Sequence, residues 1–205
     1  MSTTIIVAGA RCISICASAA GSAGSALDGR IGGAAYRNRV SIEERPAVVE
    51  KRFYYGDWEV DLVEGANHDG YLLTLVERKC GHLLMRSLGS KKADEVTTAI
   101  IVELWPFIGK IRSLTMDNGK EFSGHETVSA ILQTNVYFAH PYASWERGSN
   151  ENTNGLIRQY LPKGTSFKNL DMALCKRIEK KLNERPRKRL DFAAPLEYRN
   201  KLIAS

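Results

Sequence analysis

The sequence predicts an α/β fold in which helices flank a mixed five-stranded sheet. In some segments polar and apolar residues alternate, as in strands, and in others apolar residues recur every three or four positions, as in helices. Three strands come first, and helices and strands then alternate, which is consistent with a mixed sheet covered by helices. A chain of 205 residues is long enough to bury one such core.

Five segments are predicted to be strands. Residues 57–64 alternate between polar and apolar side chains, and residues 71–77 and 82–88 flank a turn that contains glycine. These three strands are expected to form an antiparallel meander. Residues 111–116 and 135–139 are the fourth and fifth predicted strands.

Five segments are predicted to be helices. Residues 91–107 carry apolar side chains at three- and four-residue steps behind an acidic first turn. Residues 123–132 are predicted to form a short helix, and residues 148–160 a third. Residues 171–183 are expected to be helical with a basic outer face, and residues 195–203 to form the last helix.

The chain is predicted to divide near residue 45. Residues 1–44 are expected to lie outside the core, as a disordered segment or one translated out of frame, because their start is rich in Ala, Ser and Gly. A signal peptide is disfavoured, because the start lacks a basic region and Arg11 interrupts the apolar stretch. Residues 45–205 are predicted to be one catalytic domain, with its core at about 53–160 and basic helices at 161–205.

The charge distribution favours a polyanionic partner. The formal charge is +6 and the isoelectric point is about 9.2. Between Arg158 and Lys201, thirteen basic residues outnumber five acidic ones. This excess is expected to contact phosphates, because the run directly follows the proposed site in sequence. A solvated helix face is the alternative.

Cysteine usage and hydropathy point to a cytosolic protein. Cys80 and Cys175 lie in no C-x-x-C pair and are expected to be reduced thiols rather than zinc ligands. No run reaches the roughly eighteen apolar residues that a membrane span requires. We therefore expect a cytoplasmic, nucleoid-associated location and no membrane contact.

Three acidic residues are the candidate catalytic centre: Asp61 in W-E-V-D-L, Asp117 in M-D-N-G-K-E-F and Glu151 in G-S-N-E-N-T-N-G. Asp117 ends a predicted strand at the sheet edge where α/β proteins place their ligands. Carboxylates are the ligands that Mg²⁺ and Mn²⁺ prefer. Three of them can hold two such ions about 4 Å apart, an arrangement used for in-line attack at phosphodiesters.

Several neighbours of these carboxylates receive other interpretations. Asp57 shares a strand face with Asp61 and competes with it, but Asp57 fits the first position of the strand better. Glu59 and Glu64 are expected to be surface charges. Gly119 is expected to allow a sharp turn through a positive φ.

Six segments carry a resemblance to a known family: S-I-E-E-R-P, G-D-W-E-V-D, L-V-E-R-K, D-N-G-K-E-F, the run from Tyr137 to Thr165, and L-N-E-R-P-R-K-R-L. From about Arg45 onward the chain resembles the catalytic domain of bacterial insertion-sequence transposases of the IS-thirty family. These are DDE enzymes that share a ribonuclease-H-like fold with retroviral integrases. Full-length members carry a helix-turn-helix region ahead of this domain, and nothing before residue 45 has its length or periodicity.

The resemblance implies a DNA transposase that hydrolyses a phosphodiester at the element end and then joins the freed 3′-hydroxyl to target DNA. It matches Asp61, Asp117 and Glu151 to the acidic residues that hold two Mg²⁺ or Mn²⁺ ions. The expected partners are element-end and target DNA, with a homo-oligomer assembled on DNA. The residues predicted to contact DNA are Asn118, Tyr142, Trp145, Arg147, Asn154, Arg158, Lys163, Arg187 and Lys188.

Some alternatives stay open at this point. Tyr142 and Trp145 are suited to stacking on unpaired bases, and packing roles are nearly as well supported. His140 is a possible general base that two-metal chemistry does not require. A catalytically idle fragment that regulates an intact transposase is one rival function, and a ribonuclease-H-type nuclease is another.

Overall fold

The computed structural model describes residues 38–141 and 148–204. The described chain contains six strands: β1 (Val40–Ser41), β2 (Asp57–Glu64), β3 (Tyr71–Glu77), β4 (Leu83–Leu88), β5 (Ser113–Met116) and β6 (Asn135–Phe138). It also contains six α-helices: α1 (Ala47–Glu50), α2 (Ala93–Leu104), α3 (His125–Leu132), α4 (Gly148–Ile157), α5 (Met172–Asn183) and α6 (Pro195–Ala204).

The strands form one mixed sheet in the order β1-β6-β5-β2-β3-β4. The pairs β1–β6, β6–β5 and β5–β2 are parallel. The pairs β2–β3 and β3–β4 are antiparallel and form the expected meander. The sheet has one strand more than predicted, because the two-residue β1 pairs with β6. A two-residue strand is too short for an alternating pattern to reveal it.

The predicted elements are confirmed with boundaries that differ by a few residues. The largest difference is at the predicted helix 91–107, where α2 ends at Leu104 and a short 3₁₀ turn continues to Phe107. Residues 1–37 of the predicted non-core segment 1–44 lie outside the described residues. Val40 and Ser41 belong to the sheet, so the sheet begins a few residues before the predicted boundary at 45.

Helices cover both faces of the sheet. On one face α2 and α3 pack over a cluster that includes Trp58, Val60 and Leu114. On the other face α4 and α5 pack over Leu72 and Met85 with their own apolar residues. Because consecutive strand residues point to opposite faces, this burial fixes which face Asp57, Glu59 and Asp61 share.

The basic helix α5 is attached to the edge strand β4 by polar contacts as well as apolar ones. Its N-terminus is capped by Asp171, whose side chain accepts a hydrogen bond from the Ala173 backbone N–H. Glu179 accepts the backbone N–H of Met85 at 2.6 Å, and Asn183 pairs with both backbone groups of Leu83. These bonds cover an edge that would otherwise expose unpaired backbone groups.

The described residues contain no helix that is both long and apolar enough to span a membrane. Cys80 and Cys175 are buried and form no disulfide, and burial raises the pKa of both thiols. Raised pKa values keep them as thiols at neutral pH, as expected for structural rather than reactive cysteines.

Candidate active site

Asp61 and Asp117 each follow, by two residues, the last paired residues of the parallel strands β2 and β5. Asp57, Trp58 and Glu59 of β2 pair with Ser113, Leu114 and Thr115 of β5. Continuing this register by two residues brings Asp61 opposite Asp117, with strands about 4.8 Å apart. Both carboxylates are partly exposed at the carboxyl end of β5. Two of the three predicted acidic residues are therefore neighbours at one sheet edge.

The turn after β5 is fixed by the side chains of Asp117 and Asn118. Asp117 accepts a hydrogen bond from the Gly119 backbone N–H at 2.9 Å. The Asn118 amide donates to the Ala139 carbonyl and accepts from the Arg39 guanidinium, so it ties the ends of β5 and β6 together. The N–H and the oxygen of the Asn118 amide are thus both bonded within the protein. Contact between Asn118 and DNA stays a prediction.

The prediction that Gly119 adopts a positive φ was wrong. Gly119 has φ −66° and ψ 147°, which is an extended conformation open to any residue. A Cβ atom at this position would meet only the flexible carboxylate end of Glu121. The Asp117 side chain, rather than an unusual glycine conformation, makes the turn.

Glu151 is exposed in the first turn of α4, and this helix is attached to β2 at two points. The Asn154 amide donates to Asp61 Oδ2 at 2.7 Å. One turn earlier, the Asn150 backbone N–H donates to Glu59 Oε2 at 2.9 Å. Because Asn154 follows Glu151 by three residues, it lies next to Glu151 on the helix surface. Glu151 is thereby brought to the side of the sheet that carries Asp61.

The expectation that Glu59 is a surface charge was wrong. Glu59 is 0% exposed and forms an ion pair with Arg78 Nη1 at 2.7 Å. Arg78 in turn contacts Glu50 of α1 at 3.0 Å, and Glu50 also pairs with Arg45. These ion pairs, of which only Glu50 is exposed, join α1 to β2, and Glu59 is also bound by the Asn150 backbone N–H of α4. One sequence signal could have indicated this. Glu59 lies between the apolar residues Trp58 and Val60, so its side chain points to the sheet face opposite theirs.

Asp57 and Glu64 occupy the two ends of β2. Asp57 begins the strand as predicted, is 1% exposed, and accepts a hydrogen bond from Ser113 Oγ at 2.6 Å. Glu64 lies near the surface beside His68, whose hydrogen bond lowers the pKa of the Glu64 carboxyl. Asp57, Glu59 and Asp61 alternate along β2 and therefore share one face of the sheet. Asp57 and Glu59 are buried, and Asp61 is partly exposed to solvent.

No preassembled metal site is formed by the described side chains of Asp61, Asp117 and Glu151. Among the described residues, no group of three or more His, Cys, Asp or Glu side chains is positioned to hold one. Their chemistry nevertheless fits Mg²⁺ or Mn²⁺, which bind carboxylate oxygens and water. The Asn154 amide that donates to Asp61 occupies an oxygen lone pair that a cation would otherwise use.

The predicted DNA-contacting cations fall into two places. Arg158 and Lys163 follow α4, where the Arg158 guanidinium lies 5.8 Å from the Phe167 ring and near the Leu161 and Pro162 carbonyls. Arg187 and Lys188 follow α5 instead, close to the amino-terminal end of β4. The two segments are in contact, because Arg185 donates to Gln159 Oε1 at 2.9 Å.

Tyr142, Trp145 and Arg147, which were predicted to contact DNA, lie outside the described residues. His140, just before this segment, is partly exposed and lies 3.3 Å from Glu43 Oε1 through Nε2. Asn150, at the start of the Asn-rich helix α4, is 2% exposed, and its side-chain amide has no hydrogen-bond partner among the described residues.

The chain is similar in sequence to known transposases. It is 46% identical over 165 residues to the transposase for insertion sequence element IS4351 of Bacteroides fragilis, covering 80% of this chain and 51% of the relative. It is 36% identical over 168 residues to transposase InsI for insertion sequence element IS30A of Escherichia coli strain K12, covering 82% and 44%. The chain spans about half the length of the curated relatives it matches. No family model matches it.

A likeness to a solved structure concerns the fold. One chain of the simian T-cell lymphotropic virus intasome in complex with PP2A regulatory subunit B56 gamma superimposes with a TM-score of 0.52. The two chains are 18% identical, and the match covers 63% of this chain and 49% of the other. The mixed sheet flanked by helices is the ribonuclease-H-like fold that was expected.

Proposed function

We propose that this chain, a relative of the insertion-sequence transposases that include the IS-thirty family, contains the catalytic domain of a DNA transposase. One observation carries the proposal. Asp61 and Asp117 each follow by two residues the last pair of the parallel strands β2 and β5, and the helix that bears Glu151 is bound to Asp61 through Asn154. This is where an α/β sheet places reactive groups, at the carboxyl ends of its strands.

Asp61, Asp117 and Glu151 would hold Mg²⁺ or Mn²⁺, with two ions as the expected number. When bound, such ions lower the pKa of water or a hydroxyl and stabilise charge on the leaving oxygen. The residues supply anionic oxygens at one edge of the sheet. The Asn154 amide orients Asp61 by donating to Oδ2, the carboxylate oxygen that a bound cation would otherwise use.

The reaction would proceed in two displacements at phosphorus. In the first, water attacks a phosphodiester at the element end, and the bond to the 3′-oxygen breaks to leave a 3′-hydroxyl and a 5′-phosphate. In the second, this 3′-hydroxyl attacks a target phosphodiester and displaces the target's 3′-oxygen. No covalent bond to the protein forms, so Asp61 and Asp117 act only through charge and orientation.

DNA would be held against this edge by cations that follow α4. Arg158 and Lys163 extend from the helix that carries Glu151, so phosphates bound by them lie close to the carboxylates. Tyr142, Trp145 and Arg147 precede the same helix and are proposed to contact the attacking strand. The proposed partners are element-end and target DNA, with a homo-oligomer formed on DNA.

Single substitutions at the three carboxylates test the proposal. Asp61→Asn, Asp117→Asn and Glu151→Gln each remove an anionic oxygen at nearly constant shape, so each is expected to abolish Mg²⁺- or Mn²⁺-dependent strand transfer. The measurement uses pre-cleaved DNA ends and a labelled target. Asp94→Asn, an exposed change on α2, is the matched control and retains activity. Near-normal turnover in any one of the three variants would remove that residue from the site.

A second candidate function is a catalytically idle fragment that binds DNA or an intact transposase as a regulator. One observation favours it: no group of metal-ligating side chains is assembled among the described residues. The same assay separates the two functions. An inactive wild-type chain that inhibits an intact transposase, equally well with Asp117→Asn, would support the regulator.

A further inference from the structure

Two adjacent aromatic side chains are exposed between α1 and β2. Phe53 is 62% exposed and Tyr54 is 44% exposed, and their rings meet edge to face with centroids 4.8 Å apart. Large apolar rings that are this exposed and grouped together mark an interaction site more often than isolated exposed residues do. The candidate active site does not use either ring.

Four cations surround this aromatic pair. Lys79 Nζ lies 6.0 Å from the Phe53 ring centroid, and the Arg112 guanidinium lies 4.3 Å from that of Tyr54. Arg189 donates to the Lys79 carbonyl at 2.7 Å. Arg52 is close enough to Arg189 that its positive charge, after burial, helps to lower the pKa of the Arg189 guanidinium.

Two nearby carboxylates, Asp57 and Glu77, turn inward, and the exposed Glu50 is paired with Arg45 and Arg78 rather than with the four cations. Asp57 is buried and accepts from Ser113, although its second oxygen lies 4.0 Å from Arg112 Nε. Glu77 is buried and accepts the backbone N–H groups of Gly56 and Cys80. The surface is therefore both basic and aromatic, a combination that suits a polyanion with flat rings.

The surface lies at the opposite end of the sheet from Asp61. Arg112 directly precedes Ser113, which pairs with Asp57 at the start of β2. Lys79 follows Arg78, whose backbone N–H donates to the Asp57 carbonyl at 2.8 Å. Asp61 lies four residues further along the strand, about 13 Å away at 3.3 Å per residue. One DNA phosphate cannot contact both places.

We propose that Arg52, Lys79, Arg112 and Arg189, with Phe53 and Tyr54, form a second DNA-binding surface remote from the candidate active site. The four cations contact phosphates, and the Phe53 ring stacks on an unpaired base. Arg187 and Lys188 adjoin Arg189 in the chain and extend the surface. The choice of DNA as the partner rests on the proposed function.

Metal-free DNA binding tests the proposal. The full chain is titrated with a labelled random-sequence oligonucleotide, single-stranded or duplex, by fluorescence anisotropy in EDTA at several salt concentrations. The variant is Arg52→Gln with Lys79→Gln, and Arg112 is kept because it faces buried Asp57. The slope of log K against log salt is expected to fall by about 1 to 2 units, since each lost phosphate contact contributes about 0.7 to 0.9.

The control variant removes the same charge from two exposed lysines just before α2, Lys91→Gln with Lys92→Gln. It is expected to leave the slope unchanged. An unaltered slope for Arg52→Gln with Lys79→Gln, or an equal fall for both variants, would overturn the proposal. A change in oligomeric state by sedimentation, with DNA binding intact, would also overturn it and make the surface a contact between copies of this chain.

The stacking role proposed for the Phe53 ring is tested by the variant Phe53→Ala. Loss of stacking is expected to weaken binding of single strands by about 5- to 100-fold and to affect duplex far less. Equal affinity of Phe53→Ala and the unaltered chain for single strands would overturn the stacking role. These assays contain no metal and no cleavage step, so their failure is distinct from failure of the proposed catalysis.

Discussion

Three acidic side chains of β2 share one face of the sheet but meet different partners. Asp57 accepts from Ser113, Glu59 pairs with Arg78, and Asp61 accepts from the Asn154 amide. Asp57 and Glu59 are buried, whereas Asp61 is partly exposed. A cation arriving from solvent therefore reaches Asp61 before the others, which favours Asp61 over Asp57 as a ligand.

Gly119→Ala and Gly56→Ala are expected to differ strongly in stability. Gly119 has an ordinary φ of −66°, and the atoms nearest to an added Cβ are the flexible carboxylate end of Glu121, which can move aside, so the change costs less than about 1 kcal/mol. Gly56 has φ +111° and a Cβ there would collide with the Lys110 carbonyl, so the cost exceeds about 2 kcal/mol. Urea unfolding compares them. Equal losses would contradict the turn described for Asp117.

His82 is expected to make the protein less stable in mild acid. Burial, with the nearby charges of Arg199 and Lys176, lowers the pKa of His82 to about 3. Its Nε2 accepts from Arg199 Nη1 at 3.1 Å, which requires a neutral ring. The unfolded chain has a His pKa of about 6.5, so stability from this group is present above pH 6.5 and lost as pH falls toward 3.

The measurement is the free energy of unfolding at pH 7 and pH 5 for the unaltered chain and for His82→Gln. The unaltered chain is expected to lose about 2 kcal/mol more than the variant between these values. Buried Glu77 and Glu179, whose raised pKa values act in the opposite direction, are present in both proteins and cancel. An identical loss in both proteins would show that His82 is not the group that titrates.

Helix α4 is positioned by a strand rather than by its own sequence. It contains several Asn and Gly residues, which favour helices weakly. Glu59 and Asp61 of β2 receive its Asn150 N–H and Asn154 amide at points one helical turn apart. The position of Glu151 relative to Asp61 therefore depends on the buried Glu59–Arg78 pair.

Glu59→Ala is expected to destabilise the fold by about 3–5 kcal/mol, because Arg78 would keep a buried charge without this partner. Adding Arg78→Met should restore part of the loss. Hydrogen exchange at the start of α4 should rise in Glu59→Ala. Glu103→Ala removes a comparable buried partner, that of Arg86 and Lys176, and is the matched control. Equal exchange at α4 in both variants would refute the anchoring role.

Across the whole molecule, basic residues lie at two ends of the sheet. Arg158 and Lys163 follow α4 beyond Asp61, and the cations near Lys79 lie beside the start of β2. Helix α5 runs antiparallel to β4, since Glu179 bonds Met85 and Asn183 bonds Leu83. This direction carries the basic run after α5 away from the carboxylates.

DNA binding by the chain is expected to be weak, nearly independent of sequence and steeply dependent on salt. Replacing Arg158, Lys163, Arg187 and Lys188 by Gln together should lower the slope of log K against log salt by about 3 units. The pair Lys163→Gln with Lys188→Gln, both exposed, should lower it by about half as much. Competition with random duplex measures sequence preference. A strong preference for one sequence would reveal a reading element outside those described.

The sequence by itself determined the order of the long elements and placed their boundaries to within a few residues. Alternation in residues 57–64 and the three- and four-residue steps of α2 report the burial of local side chains, which is a local property. The acidic residues also stood out locally: Asp61 lies within an alternating run, Asp117 directly follows a strand, and Glu151 lies in the first turn of a helix. The similarity to transposases is likewise a property of the sequence.

Tertiary structure alone decided which distant groups meet. The pairing of Glu59 with Arg78, the bond of Asn154 to Asp61, and the contact of Arg185 with Gln159 depend on strand register and on the direction of α5. Register and helix direction follow from the burial of the whole core, which no local window contains. For the same reason, only the fold showed that Lys79, Arg112 and Phe53 share one surface.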